Sequence, residues 1–283
     1  MRTSRSRLQY CYVDECMLRE HGFSCIAFTF SPIDLDRAVG DALRRAGLDP
    51  ETQEFKSGTY MSRNPAMQQA RDEILELAGR ETRVAVCFAS SPAQHLGKQA
   101  LQALQSVLVR NGIMASRLTV YFDNGMFASR PDAARLIQLF RPLGTCLIHT
   151  EQDSKRVRGI QVSDAVAHSF AQILREDLTG CSKTIDIGGE STGYAPGTTA
   201  PLGWALLMGL RHALWIRPMV QNGNKYNAAT DPVVLDPEND DPVAYGQNPT
   251  LLGWGVQVEP GVDRTIRSCV ERTLGEIWLG CIH

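Results

Sequence analysis

No Cys-x-x-Cys pair occurs in the 283 residues, although the chain holds eight cysteines. That absence excludes the usual zinc-finger and thioredoxin-like arrangements. Cys11, Cys25, Cys87 and Cys146 lie in apolar, strand-like runs, where a free thiol behaves as a small hydrophobe. Such usage fits a reducing compartment, and the cytoplasm is the expected location. No run reaches the roughly 20 apolar residues of a membrane span. The most apolar segment, 202–220, is broken by Arg211, His212 and Arg217, so no membrane partner is expected. Residues 1–7 are basic but lead into a strand-like run with no apolar segment and cleavage site, so export is not expected. A net charge of −2 offers no global positive field, which excludes a simple DNA-coating protein. It leaves room for an enzyme that grips nucleic acid locally and brings its own cations. Gly188-Gly189-Glu190-Ser191-Thr192-Gly193 lacks the spacing and the lysine of a nucleotide-binding loop. There is no internal repeat.

What is present is an alternation of strand and helix signals. Residues 8–15 and 23–30, rich in aromatic and β-branched side chains, predict a hairpin. A helix over 32–46 follows, then a third strand at 52–57 with Glu54 and Lys56 on one side, then a helix opened by Asn64-Pro65. The continuous apolar run 83–89 predicts a strand buried on both faces. Beyond it come a helix over 93–111, a strand over 118–122 closed by Asp123, a helix over 131–140 and a strand over 145–149. The last core helix starts at Gly159 and carries Val162, Val166, Phe170, Ile173 and Leu174 at helical spacing. The order predicts an α/β domain with a mixed sheet flanked by helices. Its core is expected over residues 1–177. Residues 178–283 form a C-terminal accessory lobe, mainly helix and loop, with an apolar helix over 201–216, a polar loop over 221–249 and a final helix over 262–279.

Three acids stand at the ends of these elements: Asp14 closing the first strand, Asp123 closing a later one, and Asp164 in the first turn of the last core helix. Carboxylates drawn from distant positions suit hard divalent cations such as Mg²⁺ or Mn²⁺. A pair of such ions can activate water and stabilise the leaving oxygen in phosphodiester cleavage. Gathered without a cation, the acids raise one another's pKa values at a cost in free energy. Each residue also has a plainer role. Asp14 and Glu15 suit the opening of a turn, Asp164 suits the dipole of a helix start, Lys56 suits an ion pair with Glu54, and His168 suits a helix surface or core edge.

Tyr12-Val13-Asp14-Glu15, Glu54-Phe55-Lys56-Ser57, Asp153-Ser154-Lys155 and Gly159-Ile160-Gln161-Val162-Ser163-Asp164 resemble the signature blocks of the domain of unknown function 3800 family. That is a large bacterial family whose fold is related to ribonuclease H. Its members begin with a strand ending Asp-Glu-Ser-Gly and carry, late in the domain, a Ser-Lys loop before a Gln-Leu-Ala-Asp helix. The resemblance implies a ribonuclease-H-like core over residues 8–177 with Asp14 and Asp164 as central metal ligands. Asp123 and Glu54 compete for the third place, with Asp153 outside them. It also implies Lys155 at the mouth of the site, facing the scissile phosphate, against the alternative of a solvated basic loop. Here Cys16-Met17 replaces Ser-Gly and Ser163 replaces the usual Ala.

The resulting expectation is a Mg²⁺- or Mn²⁺-dependent nuclease acting on DNA or RNA, with phage defence or a mobile element as the setting the family suggests. Two alternatives stand beside it: a catalytically inactive ribonuclease-H-like scaffold subunit of a larger complex, and a hydrolase of small phosphate esters. The apolar helix over 201–216 adds the expectation of a protein partner or self-association through the C-terminal lobe.

Overall fold

The computed structural model describes residues 8–59, 61–91, 96–140, 143, 145–189, 192–215, 250–252 and 255–275. The basic tail, the 221–249 loop and the end of the final helix lie outside the described residues. In chain order the elements are β1 (Tyr10–Leu18), β2 (Phe23–Ser31), α1 (Asp36–Arg45), α2 (Pro65–Glu81), β3 (Arg83–Ser90) and α3 (Leu96–Asn111). They continue with β4 (Thr119–Asp123), α4 (Arg130–Leu139), β5 (Leu147–Gln152), α5 (Gly159–Thr179), β6 (Thr184–Asp186) and β7 (Thr199–Pro201). The chain ends in α6 (Leu202–Leu210), β8 (Thr250–Leu252), β9 (Val256–Val258) and α7 (Arg264–Val270).

Seven strands form one mixed sheet in the order β5-β4-β1-β2-β3-β9-β8. β1, β2 and β3 run antiparallel in succession, while β4 adds to the free edge of β1 in parallel and β5 adds in parallel to β4. This is the mixed α/β sheet flanked by helices that the sequence predicts. Strand alternation explains the two cores. Tyr12, Cys25, Ala27, Val84, Val86 and Phe88 face α1, α2, α5 and α6. Cys11, Val13, Ile26, Phe28, Ala85 and Cys87 face α3 and α4. The stripe Val162, Val166, Phe170, Ile173 and Leu174 on α5 is buried. Each of these side chains contributes roughly 1.5–3 kcal/mol on full burial.

α5 crosses β1 at very close range. A Cβ built on Gly159 would stand 2.2 Å from the Tyr12 ring. One turn on, the Ser163 hydroxyl donates to the Tyr12 carbonyl at 2.9 Å. The ring cannot retreat, because its hydroxyl is pinned by Asp34 Oδ1 and the Leu35 N–H, each at 3.1 Å. Gly159→Ala is therefore expected to destabilise the fold by about 1–3 kcal/mol, the cost of overpacking, as read by urea denaturation. An unchanged midpoint would show that α5 has room to move.

Three sequence expectations are revised. The first strand does not end at its acids. Its pairing with β2 continues to Leu18 opposite Phe23, whereas its pairing with β4 stops at Val13 opposite Phe122. With Cys16-Met17 after the acids there is no tight turn, and the chain reverses only at Gly22, whose φ is +71°. Residues 53–56 form no strand. The extended chain there is bonded to helix side chains, as described below. α6 is shorter than expected, because residues 213–215 leave it to pair with β3, through Val84 N–H to Ala213 O at 2.8 Å and Trp215 N–H to Val84 O at 2.9 Å.

The C-terminal third is continuous with this core. β9 pairs in parallel with β3 and β8 with β9, extending the sheet. α6 packs on α5 and α2, and α7 packs on α5. On α6, Gly203, Leu207 and Leu210 are buried, while Trp204 is exposed and meets Tyr194 edge-on. Among the described residues no helix is long and apolar enough to cross a membrane.

Candidate functional site

The site lies where the β1–β4 ladder ends. Val13 and Phe122 are the last paired residues, so Asp14 and Asp123 follow side by side on adjacent strands. Two residues earlier on each strand, Tyr12 and Tyr121 stack at 5.7 Å. By strand alternation both aspartates therefore project on the α5 side of the sheet. Asp164 enters from α5, one residue beyond the Ser163 that bonds β1. Three segments far apart in sequence thus deliver one carboxylate each.

A fourth segment, residues 54–57, is laced to α5 through its own backbone. The Phe55 N–H donates to Gln161 Oε1 at 2.8 Å and the Ser57 N–H to Asp164 Oδ2 at 2.8 Å. Gln161 Nε2 in turn donates to the Ser154 carbonyl at 2.8 Å. The helix side chains thus supply the acceptors that a neighbouring strand would otherwise provide. Phe55 is anchored in the core. Glu54 and Lys56 meet at Ser154, whose hydroxyl donates to Glu54 Oε2 at 2.7 Å and accepts from Lys56 Nζ at 3.1 Å. The Lys56 and Glu54 charges stand 3.9 Å apart.

The acids are buried and mutually repulsive. Asp14 is 5% exposed and Asp123 is 7% exposed. Burial, and then the charges of Asp164, Asp123 and Glu15, hold the Asp14 carboxyl well above the ordinary carboxylate range. Burial lifts Asp164 to about 6, against the opposing pull of the Ser57 N–H and Lys56. Burial likewise lifts Asp123, with Lys56 opposing, and lifts Glu15 to about 7, where Asp123 adds to it. For Lys56, burial works to lower the pKa, but the charges of Asp123, Glu54, Asp14 and Asp164 outweigh it and leave the ammonium above its usual value. Two buried acid oxygens, Asp123 Oδ1 and Glu15 Oε2, have no hydrogen-bond partner among the described residues.

The remaining candidates fall elsewhere. Asp153 is exposed, and its Oδ1 accepts the Lys155 N–H at 2.9 Å in the turn before α5. Lys155 is exposed too, and among the described residues its side chain forms no ion pair. The cation facing the aspartates is Lys56, and Glu54 lies beside it. His168 is half-buried on a small cavity of about 50 Å³ that it shares with Ser57, Arg71, Ser169 and Gln172. Burial, followed by Arg175 and Arg71, lowers its pKa. Glu15 is an acid of the site that the strand-end signal passed over, because alternation aims it at the opposite face.

The site's chemistry matches a hard divalent cation in kind, with oxygen donors and an orphaned buried carboxylate oxygen. Its present spacing is looser than a ligand cage. Among the described residues no three His, Cys, Asp or Glu side chains are placed to hold a metal ion together. The carboxylates surround a pocket whose positive charge comes from Lys56.

No family model matches the chain. No curated protein sequence matches it either. Among solved structures, a chain from the PCNA:RNase HII complex of Archaeoglobus fulgidus aligns over 78% of this chain and 96% of its own, at 15% identity and a TM-score of 0.37.

Proposed function

We propose that this protein is a divalent-metal-dependent nuclease with a ribonuclease-H-like core, of the kind found in the domain of unknown function 3800 family, and that it hydrolyses DNA or RNA phosphodiesters. One observation carries the reading: Asp14, Asp123 and Asp164 are brought together from three segments and buried with a carboxylate oxygen unpartnered, an arrangement that costs free energy unless a cation joins it. In this reading the three aspartates hold Mg²⁺ or Mn²⁺, with Glu54 and Glu15 at hand as further oxygen donors. When bound, the ion supplies an activated water and stabilises the leaving oxygen. The chain's own residues position the acids. Ser57 fixes Asp164 by its N–H, the Glu15 N–H fixes Asp14 Oδ1 at 2.7 Å, and Ser163 fixes α5 on β1. Lys56 supplies a positive charge to which a scissile phosphate is drawn.

A second reading, an inactive ribonuclease-H-like scaffold, is favoured by the absence of a closed ligand set among the described residues. Incubation of labelled DNA and RNA with wild type and Asp164→Asn in Mn²⁺ separates the two. The nuclease reading expects cleavage of one polymer by wild type and none by the variant. Intact DNA and RNA, with no Mn²⁺ effect on melting, would leave the scaffold. Turnover of nucleotides with both polymers intact would point to a small-ester hydrolase.

A further inference from the structure

The acid pocket already contains a cation. Lys56 extends from a segment whose alternate N–H groups are tied to α5, which fixes the direction of its side chain. Its ammonium is held by Ser154 Oγ at 3.1 Å with Glu54 Oε2 at 3.9 Å, and the side chain remains 44% exposed. Ser154 is itself locked, since its hydroxyl serves Glu54 and its carbonyl accepts from Gln161. One end of this arrangement is thus a fixed polar anchor, and the other end is the group of aspartates.

We propose that Lys56 is the resident counter-cation of this pocket. Without a divalent ion it neutralises Asp123, Asp14 and Asp164, and an entering ion must displace its charge from them. The second half rests on the metal reading above; the first stands without it. A single ammonium balances one of several negative charges, so the pocket stays attractive to a dication. A lysine suits the task because it is a compact point charge on a flexible stem, able to withdraw toward Ser154 and Glu54 without unfolding its segment. A like charge a few ångströms from an incoming dication opposes it by several kcal/mol at a protein-like effective dielectric, so the lysine lowers metal affinity. The looseness of the acids has the same origin. They are arranged about an ammonium, which imposes no ligand geometry.

The test is a double-mutant cycle in metal-free buffer at neutral pH, with urea unfolding of wild type, Lys56→Met, Asp123→Asn and the double variant. It is accompanied by calorimetric titration of Mn²⁺ into wild type and Lys56→Met. Lys56→Met alone is expected to lower stability, with most of that loss absent in the Asp123→Asn background. Mn²⁺ is expected to bind Lys56→Met at least about tenfold tighter than wild type. Lys56→Gln replaces the Met variant should that one not fold, and Lys56→Arg is expected to restore the cycle. Additive effects of the two substitutions would overturn the counter-cation. Coupling between them with no Mn²⁺ binding by either protein would keep it and remove the metal reading. Mn²⁺ binding unchanged by Lys56→Met would overturn the displacement and leave the lysine a partner of Ser154.

Discussion

Asp14→Asn is expected to yield a more stable protein that performs no chemistry. Asp14 is 5% exposed, and its charge meets those of Asp164, Asp123 and Glu15. Its folded pKa therefore lies well above the ordinary value, and at pH 8 the folded state bears a penalty that the unfolded chain does not. Asparagine removes the charge, and its amide oxygen can still accept the Glu15 N–H that now reaches Asp14 Oδ1 at 2.7 Å. A gain on the order of 2 kcal/mol follows at pH 8, or about 5 °C in melting temperature for a chain of this size. The gain should vanish near pH 4, where Asp14 is protonated in both states. Cleavage in Mn²⁺ should fall by at least about a hundredfold, the scale seen for groups that merely support a metal ligand. Melting curves at both pH values, set beside cleavage assays, decide the matter. A variant that is less stable at pH 8 and still cuts would make Asp14 an ordinary buried polar residue, and the acid pocket would lose its central member. Stability gained through loss of function is the mark of a site whose strain serves its activity.

The sheet was legible because its signals are local. The apolar run of β3 and the stripe from Val162 to Leu174 on α5 record burial directly in residue order. Other features depend on partners that no local pattern names. Residues 52–57 alternate as a strand does, and they alternate in the structure too, but their N–H groups find Gln161 and Asp164 in place of another strand. β1 runs on past Asp14 because β2 remains available after β4 has stopped. Residues 213–215 and 255–258 line β3 because its outer edge would otherwise present unpaired backbone groups.

The site was half visible for the same reason. Asp123 and Asp164 stand at element ends, a position readable from sequence, and Asp14 stands at the end of one of the two ladders that β1 makes. The basic group was misplaced. Lys155 sits in a run with Arg156 and Arg158, so composition draws the eye to it, yet its turn carries it into solvent. Lys56 looked like half of an ion pair with Glu54, and it does make that pair. What sequence could not convey is that the Gln161 and Asp164 bonds swing that pair over the aspartates. Glu15 was discounted because alternation turns it away from Asp14. It is nevertheless held within the same field at the sheet's end, with one oxygen unpartnered.

Metal-free protein is expected to lose stability as pH rises from 5 to 8, and Mn²⁺ is expected to reverse that slope. Asp164 is raised to about 6 and Glu15 to about 7, with Asp14 and Asp123 raised as well, chiefly by burial. Unfolded carboxyls titrate near 4. Between those values the folded state holds more protons than the unfolded chain, so the derivative of unfolding free energy with pH is negative. The stabilisation is complete below about pH 4 and lost as pH climbs through 6 and 7. A carboxyl raised by about two units corresponds to roughly 3 kcal/mol over the whole window. His168 works the other way below pH 6.5, because burial keeps its folded pKa low, and it offsets part of the slope. Glu176 and Asp177 are held below their ordinary values, so they act only under about pH 4.5 and leave the window clear. Mn²⁺ takes the ionised acids alone, so its stabilising increment should be small at pH 5.5 and grow steadily to pH 8. Asp164→Asn should flatten the metal-free slope and erase the Mn²⁺ increment together, because one carboxylate underlies both. Thermal melts of the two proteins across that range, with and without Mn²⁺, make the comparison. A metal-free slope that persists in Asp164→Asn would place its origin outside the pocket. A Mn²⁺ increment that ignores pH would mean that the ion binds groups other than these acids.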